Sequence, residues 1–338
     1  MQIPSISLIV PVYNTEKYLR KCLESIAVQT LQNIEVLVVN NNTQDNSQQI
    51  IDEFVAKDQR FKAIIHPEGK LGGARNAALR QAQGEFVTFV DSDDWISPIF
   101  CQTLLDIAYQ HQADLIDTPG IDVDEQGHPL ESVQSGPFPP SAIYHQGPVA
   151  HMNLARHHAK PWGKLLRRSL LSTHNLWFPE NRPHEDIAFA CACFILSSTV
   201  VLCNQPLYYY RHVPKSLSRS NLHLLPRHLF ANFVPVRQLL QKEGVYSLVA
   251  PDFEYQLVHM IIGEENGGSG RLKYMSARDM RNFADEAGNF FNTLPSALFA
   301  KRKRVFRFKW QVLRFALKHR LYFLPQIMRP LYKLVDLF

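Results

Sequence analysis

Four apolar runs of strand length mark the first 91 residues: ISLIVPV (6–12), IEVLVVN (34–40), FKAII (61–65) and EFVTFVD (85–91). None alternates strictly between apolar and polar residues, so each predicts a strand covered on both faces. Helical patterns separate them. Leu19, Cys22, Leu23 and Ile26 fall at i, i+3, i+4 and i+7, and Ile50, Ile51, Phe54 and Val55 mark a second stripe. ARNAALRQAQ follows the Gly72-Gly73 turn, and LLDIAYQ follows Pro98. Strands alternating with amphipathic helices predict βαβ units and a mostly parallel sheet. Polar residues close the strands at 11–14, 40–45 and 91–94, and in open α/β sheets those ends bind the ligand.

Residues 119–150 are rich in Pro, Gly, Ser and His, and predict a long irregular segment over the active face. The uncharged stretch 187–203, IAFACACFILSSTVVLC, is short for a membrane span. It predicts a buried helix ending near Leu196 and a buried strand from Thr199. Beyond about residue 220 the pattern is mainly helical. The resulting division is a catalytic domain over 1–218 and a helical region over 219–338.

Charge is unevenly distributed. Residues 301–338 hold 11 Lys or Arg and one acid, leaving 25 basic and 30 acidic residues in 1–300. The acidic body argues against a nucleic-acid binder. The tail interleaves its basic residues with Phe306, Phe308, Trp310 and Phe315, a pattern suited to an anionic membrane surface or to packing on the catalytic domain. Five cysteines without paired C-x-x-C spacing predict reduced thiols. The opening MQIPSISLIVPVYN lacks a basic n-region and a cleavage site, so no secretory signal peptide is expected.

Asp91-Ser92-Asp93-Asp94 ends a hydrophobic strand. Acids so close repel one another unless a cation intervenes. Oxygen ligands suit Mg²⁺ or Mn²⁺, with diphosphate and water completing the shell. The plainer alternative is a set of acids favoured by a helix N-terminus. There is no G-x-x-x-x-G-K-[ST], no G-x-G-x-x-G after the first strand, no G-x-S-x-G and no H-E-x-x-H.

Read in order, SLIVPVYNTEKYLRKCLESIAVQT, EVLVVNNNTQDNS, LGGARNAAL and GEFVTFVDSDDW resemble the family 2 glycosyltransferases of the GT-A fold. PWGKLLRRSLL (161–171), HEDIAF (184–189) and LYYYR (207–211) resemble the family's W-x-K-L-x-R, E-D-x-x-F and Y-Y-Y-R stretches. The resemblance implies a Rossmann-like mixed sheet flanked by helices, with a mainly helical C-terminal extension. It also implies an inverting, non-processive transferase using a nucleotide-diphosphate sugar, with Mn²⁺ or Mg²⁺. The Q-x-x-R-W motif and multiple spans of processive members are not found.

Carried over position by position, the resemblance assigns Pro11, Val12, Tyr13, Asn41, Arg75, Asp91 and Ser92 to the donor nucleotide. It assigns Asp93 to the metal and Asp186 to the general base. Asn41 stands where the family usually has the Asp that accepts from uracil N3–H. An amide also accepts, so UDP remains the expected nucleotide. Arg211, His212 and Lys215 are candidate diphosphate donors. Asp94, Trp162, Lys164 and Glu185 are assigned to the acceptor side, with Glu185 also the second candidate base. Expected partners are a nucleotide-sugar donor, a glycan or glycolipid acceptor of the lipopolysaccharide kind, and an anionic membrane reached by residues 301–338. The expected place is the inner face of the cytoplasmic membrane. A second reading, motivated by Asn41, is a non-catalytic nucleotide-sugar-binding protein of the same fold.

Overall fold

A computed structural model describes residues 3–68, 70–134, 142–144, 147–155, 160–180, 182–213, 225–262 and 276–293. The first apolar run forms β1 (Ile6–Val12), buried along its whole length. It pairs in parallel with β2 (Ile34–Asn40) on one side and β4 (Phe86–Phe89) on the other, while β3 (Phe61–Ile65) pairs with β2 at the edge. Central strands sandwiched this way have no solvent face, which explains the unbroken apolar runs.

The other half of the sheet is mixed. β10 (Lys164–Arg167) runs antiparallel between β4 and β6 (Leu115–Asp117). β11 (Val200–Leu202) lies parallel to β6, and β9 (Ala142–Tyr144) pairs antiparallel with β11. The order across eight strands is β3-β2-β1-β4-β10-β6-β11-β9. The expected mixed α/β sheet is therefore present.

Helices cover the sheet as their stripes predict. α1 (Glu16–Ala27) buries Leu19, Cys22, Leu23 and Ile26. α2 (Ser47–Lys57) buries Ile51 fully and packs Ile50 and Phe54 partly, leaving Val55 more exposed. α3 (Leu71–Leu79) and α4 (Phe100–His111) follow, then α5 (Pro148–Ala155) and α6 (Arg168–Thr173). α7 (Glu185–Leu196) and β11 divide the uncharged stretch where the sequence divides it. No helix among the described residues is long and apolar enough to cross a membrane.

The irregular segment expected over 119–150 is corrected. It holds β7 (Gly120–Val123), β8 (Pro129–Gln134), β9 and the start of α5. β7 and β8 join β5 (Trp95–Ile96) and β12 (Tyr208–Arg211) in a second sheet ordered β5-β12-β7-β8. A four-residue strand is too short to show a period, and β7 is fixed by β12, a partner far along the chain.

The chain separates into two compact units, Met1–Ser216 and Leu217–Phe338. In the second, α8 (Leu225–Lys242), α9 (Tyr246–Ile262) and α10 (Ala277–Thr293) follow one another. Phe233 and Phe253 meet between α8 and α9, and Phe230 meets Phe283 of α10 edge to face. Lys215 and the tail 301–338 lie outside the described residues.

Candidate active site

The three aspartates that follow β4 have different surroundings. Asp94 is buried at 1% exposure. Its Oδ2 accepts from the Tyr208 hydroxyl at 2.7 Å and its Oδ1 from the Arg211 N–H at 2.8 Å. The same Tyr208 oxygen accepts from the Asp91 N–H at 3.1 Å. Arg211 also donates from Nε to the Asp93 carbonyl and from Nη1 to the Glu125 carbonyl, at 2.8 and 2.7 Å. Ser92 is buried, and its Oγ accepts from Thr15 Oγ1 at 2.9 Å. Strand β12 thus pins the carboxylate loop from behind.

Burial, then the neighbouring Asp93 and Asp91 charges, hold the Asp94 carboxyl well above the ordinary range. Burial, with the Asp91 charge next, pushes Asp93 up to about 6. Asp93 takes no hydrogen bond from another side chain among the described residues. The loop is short of positive charge at Asp93, and a divalent cation would supply it. No three His, Cys, Asp or Glu side chains among the described residues are grouped to hold an ion unaided. The donor set therefore fits Mg²⁺ or Mn²⁺ carried in with diphosphate oxygens and water, rather than a closed protein cage.

Asp94, Arg211, Trp162, Lys164 and His212 all have partners within the protein. Asp94 and Arg211 belong to the scaffold of the loop, because their polar atoms are engaged inside it. Trp162 is buried and stacks on Tyr208 and Tyr210 with centroids 4.6 and 5.2 Å apart, so it backs the clamp. Lys164 donates to Asp117 Oδ1 at 2.7 Å, both side chains being buried, and this pair joins β10 to β6. His212 shares a 2.8 Å contact between its Nε2 and Asp122 Oδ1.

On the other side, Pro11 and Val12 are buried at the end of β1, and Tyr13 is 41% exposed beyond them. Two loops interlock here. Asn14 Oδ1 accepts from the Gln44 N–H at 2.7 Å, Asp45 Oδ2 from the Glu16 N–H at 2.9 Å, and Glu16 Oε2 from the Asn46 N–H at 2.7 Å. Asn14 and Asn42 take φ of 50° and 60°, a region asparagine tolerates better than most residues. Asn41 donates its N–H to the Val12 carbonyl at 2.9 Å. Its side chain is 2% exposed, and Oδ1 has no hydrogen-bond partner among the described residues.

α3 brings the two ends of the site together. Arg75 is 2% exposed. Its Nη2 donates to Asp91 Oδ1 at 2.9 Å and its Nη1 to Glu185 Oε1 at 2.8 Å. Nothing in the sequence marks this arginine as buried; one N–H of each terminal nitrogen goes to a protein carboxylate, and Nε is buried with no hydrogen-bond partner among the described residues. Asn76, which sequence reasoning left without a role, exchanges hydrogen bonds with the Phe178 backbone at 2.9 and 3.0 Å and donates to Glu180 at 2.8 Å. The adjacent A-R-N letters were its only signal. Gly72 permits the approach, since a Cβ there would stand 2.5 Å from the Pro179 carbonyl oxygen. Beneath, Phe178 stacks on Phe189 at 3.8 Å and meets Phe89 edge to face at 5.1 Å.

Helix α7 opens at His184, whose φ is 61°. Its first residues are Glu185 and Asp186. Burial pushes Glu185 up to about 7 against the pull of Arg75. Burial also raises Asp186, whose Oδ1 accepts from the Ile187 N–H at 2.9 Å. A carboxylate raised in this way is a stronger proton acceptor once ionised.

A mixed sheet with interlocked asparagine loops, a carboxylate loop and an acidic helix start at its strand ends defines a GT-A nucleotide-sugar transferase fold. The fold matches the crystal structure of Staphylococcus aureus TarS 1–349 in complex with UDP, with a TM-score of 0.74 and 22% identity, covering 97% of this chain and 91% of that one. TarS 1–349 in complex with UDP-GlcNAc matches equally, at a TM-score of 0.74. The chain belongs to glycosyl transferase family 2, whose model matches residues 7–174. It is 31% identical over 232 residues to the glycosyltransferase GlyG of Streptococcus pneumoniae, covering 65% of this chain and 74% of that protein. With EpsH of Bacillus subtilis it shares 37% identity over 219 residues, 62% of each chain. The chain thus spans less than two thirds of the length of EpsH.

Proposed function

We propose that this protein is an inverting glycosyltransferase that moves one sugar from a nucleotide-diphosphate donor, a UDP-sugar, to a glycan or lipid-linked glycan. The observation that carries the reading is the Asp91–Arg75–Glu185 bridge, because it draws the carboxylate loop and the Asp186 helix start to one end of the sheet. The Asn41 amide supports uridine: its buried Oδ1 is an unmet acceptor, suited to the N3–H of uracil. The TarS complexes with UDP and UDP-GlcNAc support the same nucleotide in this fold. Tyr13 is exposed enough to lie against a base.

In this mechanism Asp186 accepts the proton of the acceptor hydroxyl as that oxygen attacks C1 of the sugar. The new C1–O bond forms on the face opposite the breaking C1–O bond to the nucleotide diphosphate, which leaves with the bonding electrons. Glu185 is held by Arg75, and Asp186 is therefore the base. Asp93, with Asp91 near the ribose, would hold Mn²⁺ or Mg²⁺, which when bound neutralises charge on the diphosphate. His212 and Lys215 are proposed to meet that diphosphate. The tail 301–338 is proposed to lie on an anionic membrane face on the cytoplasmic side, where a lipid-linked acceptor resides.

Calorimetry with UDP, GDP and CDP, each with Mn²⁺ and with chelator, tests the donor site. Metal-dependent UDP binding lost in Asp93→Ala supports the reading, and preference for another nucleotide overturns the role given to Asn41. UDP release from UDP-sugars then separates a transferase from a protein that binds nucleotide sugars without turnover, the reading that Asn41 also motivates.

A further inference from the structure

We infer that His66 is a specificity-determining residue of the donor site, whose imidazole donates from Nδ1 to the base and selects uracil over cytosine. This inference rests on the nucleotide-sugar reading above and deepens it. His66 stands at the strand ends beside Asn41. The parallel strands β2 and β3 finish on the pair Asn40 and Ile65, and the His66 N–H donates to the Asn40 carbonyl at 2.8 Å. Asn41 and His66 are thus the first residues past that pair on neighbouring strands, which lie about 4.8 Å apart. Such strand ends are where an open α/β sheet binds its ligand.

The two imidazole nitrogens have different surroundings. Nε2 is buried with no hydrogen-bond partner among the described residues. It abuts the first turn of α3, where a Cβ on Gly73 would stand 2.8 Å from Nε2 and 3.1 Å from Cε1. The φ of Gly73 is not positive, so its backbone makes no demand for glycine. Glycine is a poor helix former, and here it clears the space that the ring fills. Nδ1 also takes no hydrogen bond among the described residues and, unlike Nε2, is accessible. A neutral imidazole carries one N–H. A buried N–H without an acceptor is rarer than a buried lone pair without a donor, so the lone pair belongs on Nε2 and the N–H on Nδ1. His66 then offers a donor where Asn41 offers an acceptor. Uracil presents N3–H beside O4 and matches that pair. Asn41 alone does not choose, because an amide turned over presents its NH₂ to the N3 of cytosine. The cytosine N4 amine, however, would meet the Nδ1–H donor against donor, leaving both unpaired.

The full chain is compared with His66→Phe, His66→Asn and Gly73→Ala by calorimetric titration with UDP, CDP and 4-thio-UDP, each with Mn²⁺, and by melting temperature. Wild type is expected to bind UDP about 10- to 100-fold tighter than CDP. It should bind 4-thio-UDP, which keeps N3–H and replaces O4 by a weaker acceptor, about 5- to 10-fold less tightly than UDP. His66→Phe should weaken UDP about tenfold, keep or improve CDP, and bind UDP and 4-thio-UDP alike. His66→Asn, whose amide nitrogen takes the place of Nδ1, should recover most of the lost preference. Gly73→Ala keeps every polar group but pushes the ring from its seat, so it should hold its melting temperature and lose the preference with His66→Phe. An unchanged UDP-to-CDP ratio in His66→Phe overturns the proposal, and equal weakening of both nucleotides makes the imidazole a packing group. Should His66→Phe fail to fold, wild type decides alone, and equal affinity for UDP and 4-thio-UDP overturns the contact. A wild type that binds no UDP with Mn²⁺, or prefers CDP, overturns the UDP-sugar reading and the role of His66 with it.

Discussion

Asp91, Asp93 and Asp94 share a residue type and a loop, and differ entirely in what they touch. Asp94 is bonded from two sides and Asp91 is held by Arg75, while Asp93 keeps a carboxyl raised to about 6 from its ordinary value of 3.8. A carboxyl raised in the fold adds stability below its unfolded pKa, and that stability is lost as pH climbs through the folded one. Asp93→Asn is therefore expected to melt higher than wild type at pH 8 in chelator. Discounted for partial exposure, the gain is about 1 kcal/mol, or about 2–4 °C, and it should shrink at pH 5. The same variant should lose the further stabilisation that UDP with Mn²⁺ gives wild type. A lower melting point at pH 8 would mean that Asp93 has a stabilising partner. Asp186→Asn should bind UDP as wild type does and lose about 10²- to 10⁴-fold in kcat, read from UDP release. Asp93 and Asp186 stand out as candidates in the sequence because each sits in a short motif. The burial of Arg75 is not legible there, because Glu185 is 110 positions away and Phe178 closes one face of the guanidinium.

Elements reveal themselves in proportion to their length. β1 and β2 are seven residues each and wholly or almost wholly buried, and α1 carries its stripe through twelve, so periodicity alone located them. β7 and β12 have four residues each and are strands through their pairing with each other and with β8 and β5. Their junction is nonetheless what fixes the carboxylate loop. Tyr208→Phe removes the hydroxyl that donates to Asp94 and accepts from the Asp91 N–H. Its expected cost is about 1–3 kcal/mol, because a buried N–H and a buried carboxyl both lose a partner. Thermal melting and metal-dependent UDP binding should fall together. At α3 the glycine matters for space. Gly72→Ala improves helix propensity by about 1 kcal/mol, but its Cβ would meet the Pro179 carbonyl oxygen at 2.5 Å. Steric displacement of α3 from the 178–185 segment should dominate, leaving a net loss of about 1–3 kcal/mol by denaturant melts.

At the scale of the chain, the sequence pattern turns mainly helical near residue 220, and the chain divides into compact units at Ser216 and Leu217. The charge asymmetry is a property at this scale alone, since 11 of the 36 basic residues fall in the last 38 positions. The full chain is expected to sediment with vesicles containing anionic lipid at low salt and to be released at about 0.5 M salt. A chain shortened to 1–300 should stay in solution and still bind UDP, and sedimentation of that shorter chain would remove the tail from the membrane role. One feature of the sheet also governs how the protein is made. β10 inserts antiparallel between β4 and β6, and β12 closes the loop after β4 from 114 to 117 positions downstream. During synthesis at roughly 5–20 residues per second, the strands that carry Asp91 leave the ribosome well before the strand that clamps it. For several seconds the nascent chain therefore carries Asp94 before Tyr208 and Arg211 exist to bond it.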